Sequence, residues 1–172
     1  MVKDHAHDRH EIERAFFFLS NTLQDSGTNS KPVFLHTVEV VSMLRDANLS
    51  QAAVIAGVLH DIVEDTAITI EDVEREFGKQ VALYVDALTL SDTQDIYQSI
   101  DRSVALSSDV LSIRAADLIQ NSAFYHLAAP SMKQHLYDKF VYFMSVADGS
   151  LGSYLSEQLQ AAYELHVKVL QD

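Results

Sequence analysis

The sequence predicts an all-α protein folded as one helical bundle. Only five glycines and two prolines punctuate its 172 residues, and between them apolar side chains recur at helical rather than alternating spacing. Nearly half of the residues are apolar, so a chain of this length can bury a sizeable core in a single domain spanning 1–172.

Each helix has its own signal. The first is predicted over 8–24, where Ile12, Ala15, Phe16 and Leu19 share a face. Phe16, Phe17 and Phe18 are consecutive and cannot all face one core, which leaves one of them for an interface. The segment DSGTNSKP reads as a loop, because Gly, Asn and Ser favour turns and Pro32 disfavours a helical Lys31. A second helix follows Pro32 through Arg45, with His36, Val40, Met43 and Leu44 inward. Ser50 is placed to cap a third helix that carries AAVIAGVLHD. Thr69 to Asp72 forms a capping-box pattern with Asp in the place of Glu, and starts a helix that ends near Gly78. Another runs from Lys79 to about Leu90. The polar stretch SDTQDIYQSIDRSVALSSD is expected to be a loop with a short helix, forming a mobile rim. A strongly apolar helix starts at Asp109 and stops before Pro130, and two more, over 131–146 and 151–170, complete the bundle.

Composition narrows the chemistry. The absence of cysteine excludes disulfides, thiolate zinc sites and a cysteine nucleophile, so any metal must take imidazole and oxygen ligands. A formal charge of −13 repels phosphate backbones, which argues against a nucleic-acid polymer as partner. A small phosphorylated substrate remains compatible, provided that a metal and a few local cations offset the field. The apolar cluster in MVKDHAHDRHEIERAFFFL is too short and too flanked by charge for a signal peptide or membrane span, so a soluble cytoplasmic protein is expected. His5, His7 and His10 are read as a solvated tail.

The densest chemical signal is LHDIVEDT, residues 59–66, in which a His, an adjacent Asp and two further carboxylates follow the apolar run AAVIAGV. Ionised groups buried there need compensation, and a divalent cation supplies it. If this segment is a continuous helix, His60 and Glu64 lie one turn apart on one face, with Asp61 still within reach of a cation at the helix edge. His36 falls on the inward face of the preceding helix, and Asp117 interrupts the apolar helix IRAADLIQN. Packed together, His36, His60, Asp61 and Asp117 form a His₂Asp₂ set suited to Mn²⁺, Fe²⁺ or Zn²⁺ with positions left for water.

A lone His, then a His-Asp pair, then a later Asp in an apolar helix resembles the HD-domain metal-dependent phosphohydrolases. More narrowly, KPVFLH, GVLHDIVEDT, EDVEREFGKQVALYVDALT and AADLIQN resemble the hydrolase domain of the RelA/SpoT alarmone enzymes and the small alarmone hydrolases, over about residues 31–124. The resemblance implies an HD-domain helical bundle that hydrolyses the 3′-pyrophosphate of (p)ppGpp. It implies His36, His60, Asp61 and Asp117 as ligands of a divalent metal, typically Mn²⁺, and Glu64 and Asp65 as the acid/base pair. It also places Arg114 at a basic position ahead of the last ligand and Asn121 at an Asn that approaches the substrate ribose. Lys31, the one cation in DSGTNSKP, is a candidate phosphate contact.

The chain departs from that pattern in places. Gly27 stands where the alarmone hydrolases carry an Arg-Lys pair against the guanine base, and ADLIQN, where they often read ADRLHN, places Leu118 and Gln120 at a cation and a His. Two other readings are therefore carried forward: an HD-type phosphomonoesterase acting on another nucleotide or phosphometabolite, and a non-catalytic nucleotide sensor. No synthetase segment is expected after the C-terminal helices. Outside the ordered motif, bland roles compete: Arg114 pairing with a surface carboxylate, Asn121 bridging helices, Thr66 capping a turn.

Overall fold

The computed structural model describes residues 8–23, 32–90 and 95–171. Ten α-helices are described: α1 (Arg9–Leu23), α2 (Val33–Asp46), α3 (Gln51–Leu59), α4 (Ile62–Asp65), α5 (Ile70–Phe77), α6 (Lys79–Leu88), α7 (Ile96–Leu106), α8 (Ser108–Ser122), α9 (Pro130–Ala147) and α10 (Ser153–Ala162). No strand occurs among the described residues, and none of these helices is long and apolar enough to cross a membrane.

Helix α3 is the central post. Every residue from Ala53 to Leu59 is buried, and α1, α2, α6 and α8 pack around it. Its N-terminus is anchored as expected: Ser50 Oγ accepts from the Ala53 N–H at 3.2 Å. The same hydroxyl donates to Asp109 Oδ2 at 2.5 Å, and Tyr84 OH donates to that oxygen at 3.2 Å. One carboxylate thus ties the starts of α3 and α8 to α6. The capping box at α5 is present, with Thr69 Oγ1 accepting from the Asp72 N–H at 3.2 Å and Asp72 Oδ2 from the Thr69 N–H at 3.0 Å. Of the three aromatics in α1, Phe16 and Phe18 pack on the core and Phe17 is exposed.

Three expectations are corrected. The stretch after Leu90 is mainly an eleven-residue helix, α7, capped by Asp95. Its buried face carries Ser99 and Ser103, polar residues that blank the apolar period. The apolar helix α8 ends at Ser122, and a separate 3₁₀ turn, Tyr125–Leu127, precedes Pro130. The last expected helix is α10 followed by a π-wound turn, Tyr163–Val167, and a 3₁₀ turn, Lys168–Gln171.

Gly57 governs how close α2 and α3 come. A Cβ at this position would collide with Leu44 Cδ1, and Leu44 is fully buried, so it cannot turn aside freely. Gly57→Ala is expected to lower stability: overpacking costs about 1–3 kcal/mol, while removing a helical glycine returns up to about 1 kcal/mol. Urea denaturation of the variant checks this, and a midpoint at or above that of the unmodified protein contradicts it.

Candidate metal centre and cavity

Three helices deliver the four expected ligands to one point. With His36 opposite His60 and Leu44 against Gly57, α2 and α3 run antiparallel, and α8 brings Asp117 between the two imidazoles. One ligating atom from each of His36, His60, Asp61 and Asp117 lies within 4.8 Å of all the others. His36 Nε2 is 3.1 Å from Asp117 Oδ1, and His60 Nε2 is 3.2 Å from Asp61 Oδ2 and 3.4 Å from Asp117 Oδ1.

The helix expected to run through His60, Asp61 and Glu64 is broken. Helix α3 stops at Leu59, Asp61 sits at φ −102°, ψ 0°, and α4 restarts at Ile62. His60 Nδ1–H donates to the Gly57 carbonyl at 2.9 Å, which takes up one of the last acceptors of α3 and fixes the tautomer. The lone pair of Nε2 is thereby directed at the cluster.

The donor set fits a divalent cation. His60 Nε2 is buried, and the only groups set against it among the described residues are two carboxylate oxygens, of Asp61 at 3.2 Å and of Asp117 at 3.4 Å. Burial alone would lower the His60 pKa, but the Asp61 charge and the bonds to Asp117 outweigh it and hold the group well above its ordinary value. Burial would likewise raise Asp117, yet its bonds to His36 and His60 hold that carboxyl well below the usual range. The field that attracts a proton to Nε2 attracts a metal equally, so the two compete for one lone pair. Asn121 Nδ2–H donates to Asp117 Oδ1 at 2.6 Å and orients the ligand.

Beside the cluster opens a cavity of about 230 Å³, lined by His60, Asp61, Asp117, Glu64, Arg114 and Asn121 and, on one wall, by Leu88, Leu90 and Ile96. The apolar wall was not legible in the sequence, because Ile96 belongs to the stretch read as a rim. Glu64 Oε1 accepts from the Leu90 N–H at 2.7 Å. Although much of its surface is accessible, crowding by protein raises the Glu64 pKa, against the lowering effect of the Leu90 bond. Asp65 is half-buried on α4, its N–H donating to the Asp61 carbonyl at 2.9 Å, and it is not part of the cavity lining.

The remaining candidates divide. Arg114 does not meet a surface carboxylate: its donors go to Ser103 Oγ at 2.8 Å, Ser99 Oγ at 2.8 Å and the Leu88 carbonyl at 3.0 Å. Asn121 both bridges to Asp117 and lines the cavity. Thr66 Oγ1 donates to the Ile62 carbonyl at 2.6 Å and so closes α4. Leu118 is core, and Gln120 contacts Met43 Sδ at 3.0 Å, so neither departure from the motif faces the cavity. Lys31 and Gly27 lie outside the described residues, as do His5 and His7.

Fold and site together define a helical protein with a two-histidine, two-aspartate candidate metal centre. The chain belongs to the HD domain family, which it matches over residues 15–137. It is 31% identical over 136 residues, 73% of its length, to a Synechocystis protein named probable guanosine-3′,5′-bis(diphosphate) 3′-pyrophosphohydrolase. It is 26% identical over 119 residues, 64% of its length, to the Aquifex aeolicus guanosine-3′,5′-bis(diphosphate) 3′-pyrophosphohydrolase. The chain spans 18% and 17% of those two proteins. Among solved structures, that of a metazoan ortholog of SpoT, described as hydrolyzing ppGpp, superposes with a TM-score of 0.78 over 92% of this chain and 97% of that one at 18% identity. The structure of lmo0812 from Listeria monocytogenes EGD-e gives 0.65 over 77% of this chain and 99% of that one, at 23% identity. These two likenesses establish the fold.

Proposed function

We propose that this chain is a metal-dependent phosphohydrolase of a small nucleotide, with the 3′-pyrophosphate of (p)ppGpp as the leading substrate. The observation that carries the reading is the convergence of His36, His60, Asp61 and Asp117 at the mouth of a polar cavity that also holds Glu64. The names of the Synechocystis and Aquifex relatives support the substrate class. Mn²⁺ is the preferred ion, with Fe²⁺ and Zn²⁺ compatible with the same donors. When bound, the ion supplies Lewis-acid polarisation of a phosphoryl oxygen and acidifies water.

The chain's own groups do the rest. Glu64, steadied by the Leu90 N–H and with its proton affinity raised by its surroundings, takes a proton from the attacking water and returns one to the leaving oxygen. Asp65, the adjacent carboxylate, is proposed as the second member of the acid/base pair. Asn121 keeps Asp117 directed at the cluster and presents the rest of its amide to the cavity. Arg114 and Lys31 are proposed as phosphate contacts. The wall of Leu88, Leu90 and Ile96 excludes water from one side of the reacting phosphate.

A second reading, a phosphomonoesterase of another nucleotide, is favoured by Gly27 at the position of the base-stacking pair. The Mn²⁺-loaded protein assayed on ppGpp, an adenine analogue and a nucleoside monophosphate separates the readings. Pyrophosphate released from ppGpp is expected, with base preference relaxed about tenfold by the missing contact, on the scale of a lost stacking or cation–π interaction. Orthophosphate from the monophosphate alone selects the second reading. A loaded protein that binds ppGpp without turnover is a sensor.

A further inference from the structure

Resting on the function proposed above, we infer that Ser99 and Ser103 are positioning residues that hold Arg114 in a neutral cradle and keep its charge available to a phosphate in the cavity. Both serines are 0% exposed and stand one turn apart on the inward face of α7. Ser103 Oγ accepts from Arg114 Nε at 2.8 Å and Ser99 Oγ from Nη2 at 2.8 Å, while the Leu88 and Ala87 carbonyls accept from Nη2 at 3.0 and 3.4 Å. Ser103 Oγ also donates to the Ser99 carbonyl at 3.0 Å, which fixes the direction of its lone pair. Every partner of the guanidinium is therefore uncharged.

A buried arginine is usually neutralised by a carboxylate. Here no carboxylate lies within ion-pair distance of Arg114 among the described residues, although the side chain lines the cavity. The charges that face it are Asp117, one turn on along α8, Glu64 and Asp61 on the cavity lining, and Arg102 on α7. The cradle uses Nε and Nη2, which leaves the N–H donors of Nη1 for an anion oxygen in the cavity. Without the serine oxygens, the guanidinium would swing onto Glu64 and cancel the charge that the ligand needs. The polarity of two fully buried serines, otherwise a cost to packing in α7, is explained by this task.

Inorganic pyrophosphate serves as the probe. It is titrated calorimetrically into the Mn²⁺-loaded protein and into Ser99→Ala, Ser103→Ala and the double variant, with metal content and thermal midpoint measured on each. Ser103→Cys, nearly isosteric but a poor acceptor, covers a variant that fails to fold, and Ser103→Thr, which restores the hydroxyl, should rescue. The expected result is pyrophosphate affinity weakened about tenfold in each single variant, on the scale of a hydrogen bond to a charged group, with metal content unchanged. Equal affinity in the folded variants, or loss that Thr does not restore, overturns the cradle while leaving the site standing. No binding by the loaded, unmodified protein overturns the phosphate site itself, and the cradle with it.

Discussion

Replacing His60 or Asp117 with alanine is expected to strip the metal and reduce hydrolysis to background while the helical fold survives. The two side chains meet at a point between α2, α3 and α8, whereas the helices are held together by a separate apolar core that includes Leu44, Leu59, Leu111, Ile113, Phe140 and Phe143. Removing Asp117 also releases the Asn121 amide that orients it and leaves His36 Nε2 without its carboxylate. The ligand set then falls to three, with one carboxylate charge fewer to offset the dehydration of a divalent ion. Metal analysis of the purified variants, beside far-ultraviolet circular dichroism, reads both halves. Full occupancy in either variant removes that residue from the ligand set.

Glu64→Gln is expected to keep the metal and lose at least about a hundredfold in turnover, the scale of a positioned acid or base. Gln retains an oxygen for the Leu90 N–H, so the geometry at the wall is preserved and the change isolates the proton. The corresponding Asp65→Asn change should cost less, because Asp65 is outside the cavity lining. Turnover unaltered in Glu64→Gln would take this carboxylate out of the mechanism. The substitution has a second expected effect, on stability. Crowding raises the Glu64 pKa, so the folded state binds this proton more tightly than the unfolded chain does. Its contribution is therefore fully present below the ordinary carboxylate range and is lost as pH climbs through the raised value, opposite in sign to a salt-bridged acid. The Gln variant should accordingly melt higher than the unmodified protein at pH 7 and lose that advantage near pH 4. A lower midpoint at pH 7 would contradict the assignment.

The sequence was most legible where local chemistry and tertiary packing agree. Ser50, Thr69 and Asp72 cap helices in the structure because a side-chain oxygen near an orphan N–H needs nothing from the rest of the fold. The four expected ligands converge, since a buried His or Asp in an apolar period requires a partner wherever it lies. Two things escaped. Helix α7 was obscured because its inward positions, Ser99 and Ser103, are matched to Arg114, a residue distant in sequence, rather than to the apolar core. The break at His60 and Asp61 was invisible because His and Asp are compatible with a helix, and only the imidazole reaching back to the Gly57 carbonyl shows where α3 yields. Leu90 contributes its backbone N–H to the cavity, a role that no side-chain pattern can encode.

The intimacy of Gly57 and Leu44 bears on how the candidate metal donors are mounted. Since the Leu44 side chain fills the space that a Cβ would need, the separation of α2 from α3 is set there by a buried side chain packed directly on the Gly57 backbone, three residues before His60. Within that frame two of the four candidate donors are imidazole nitrogens, a poor match for an ion such as Ca²⁺ that asks for six to eight oxygens at about 2.3–2.6 Å. The spacing of the donors is thus set in part by a residue that offers none, through the frame in which they are mounted.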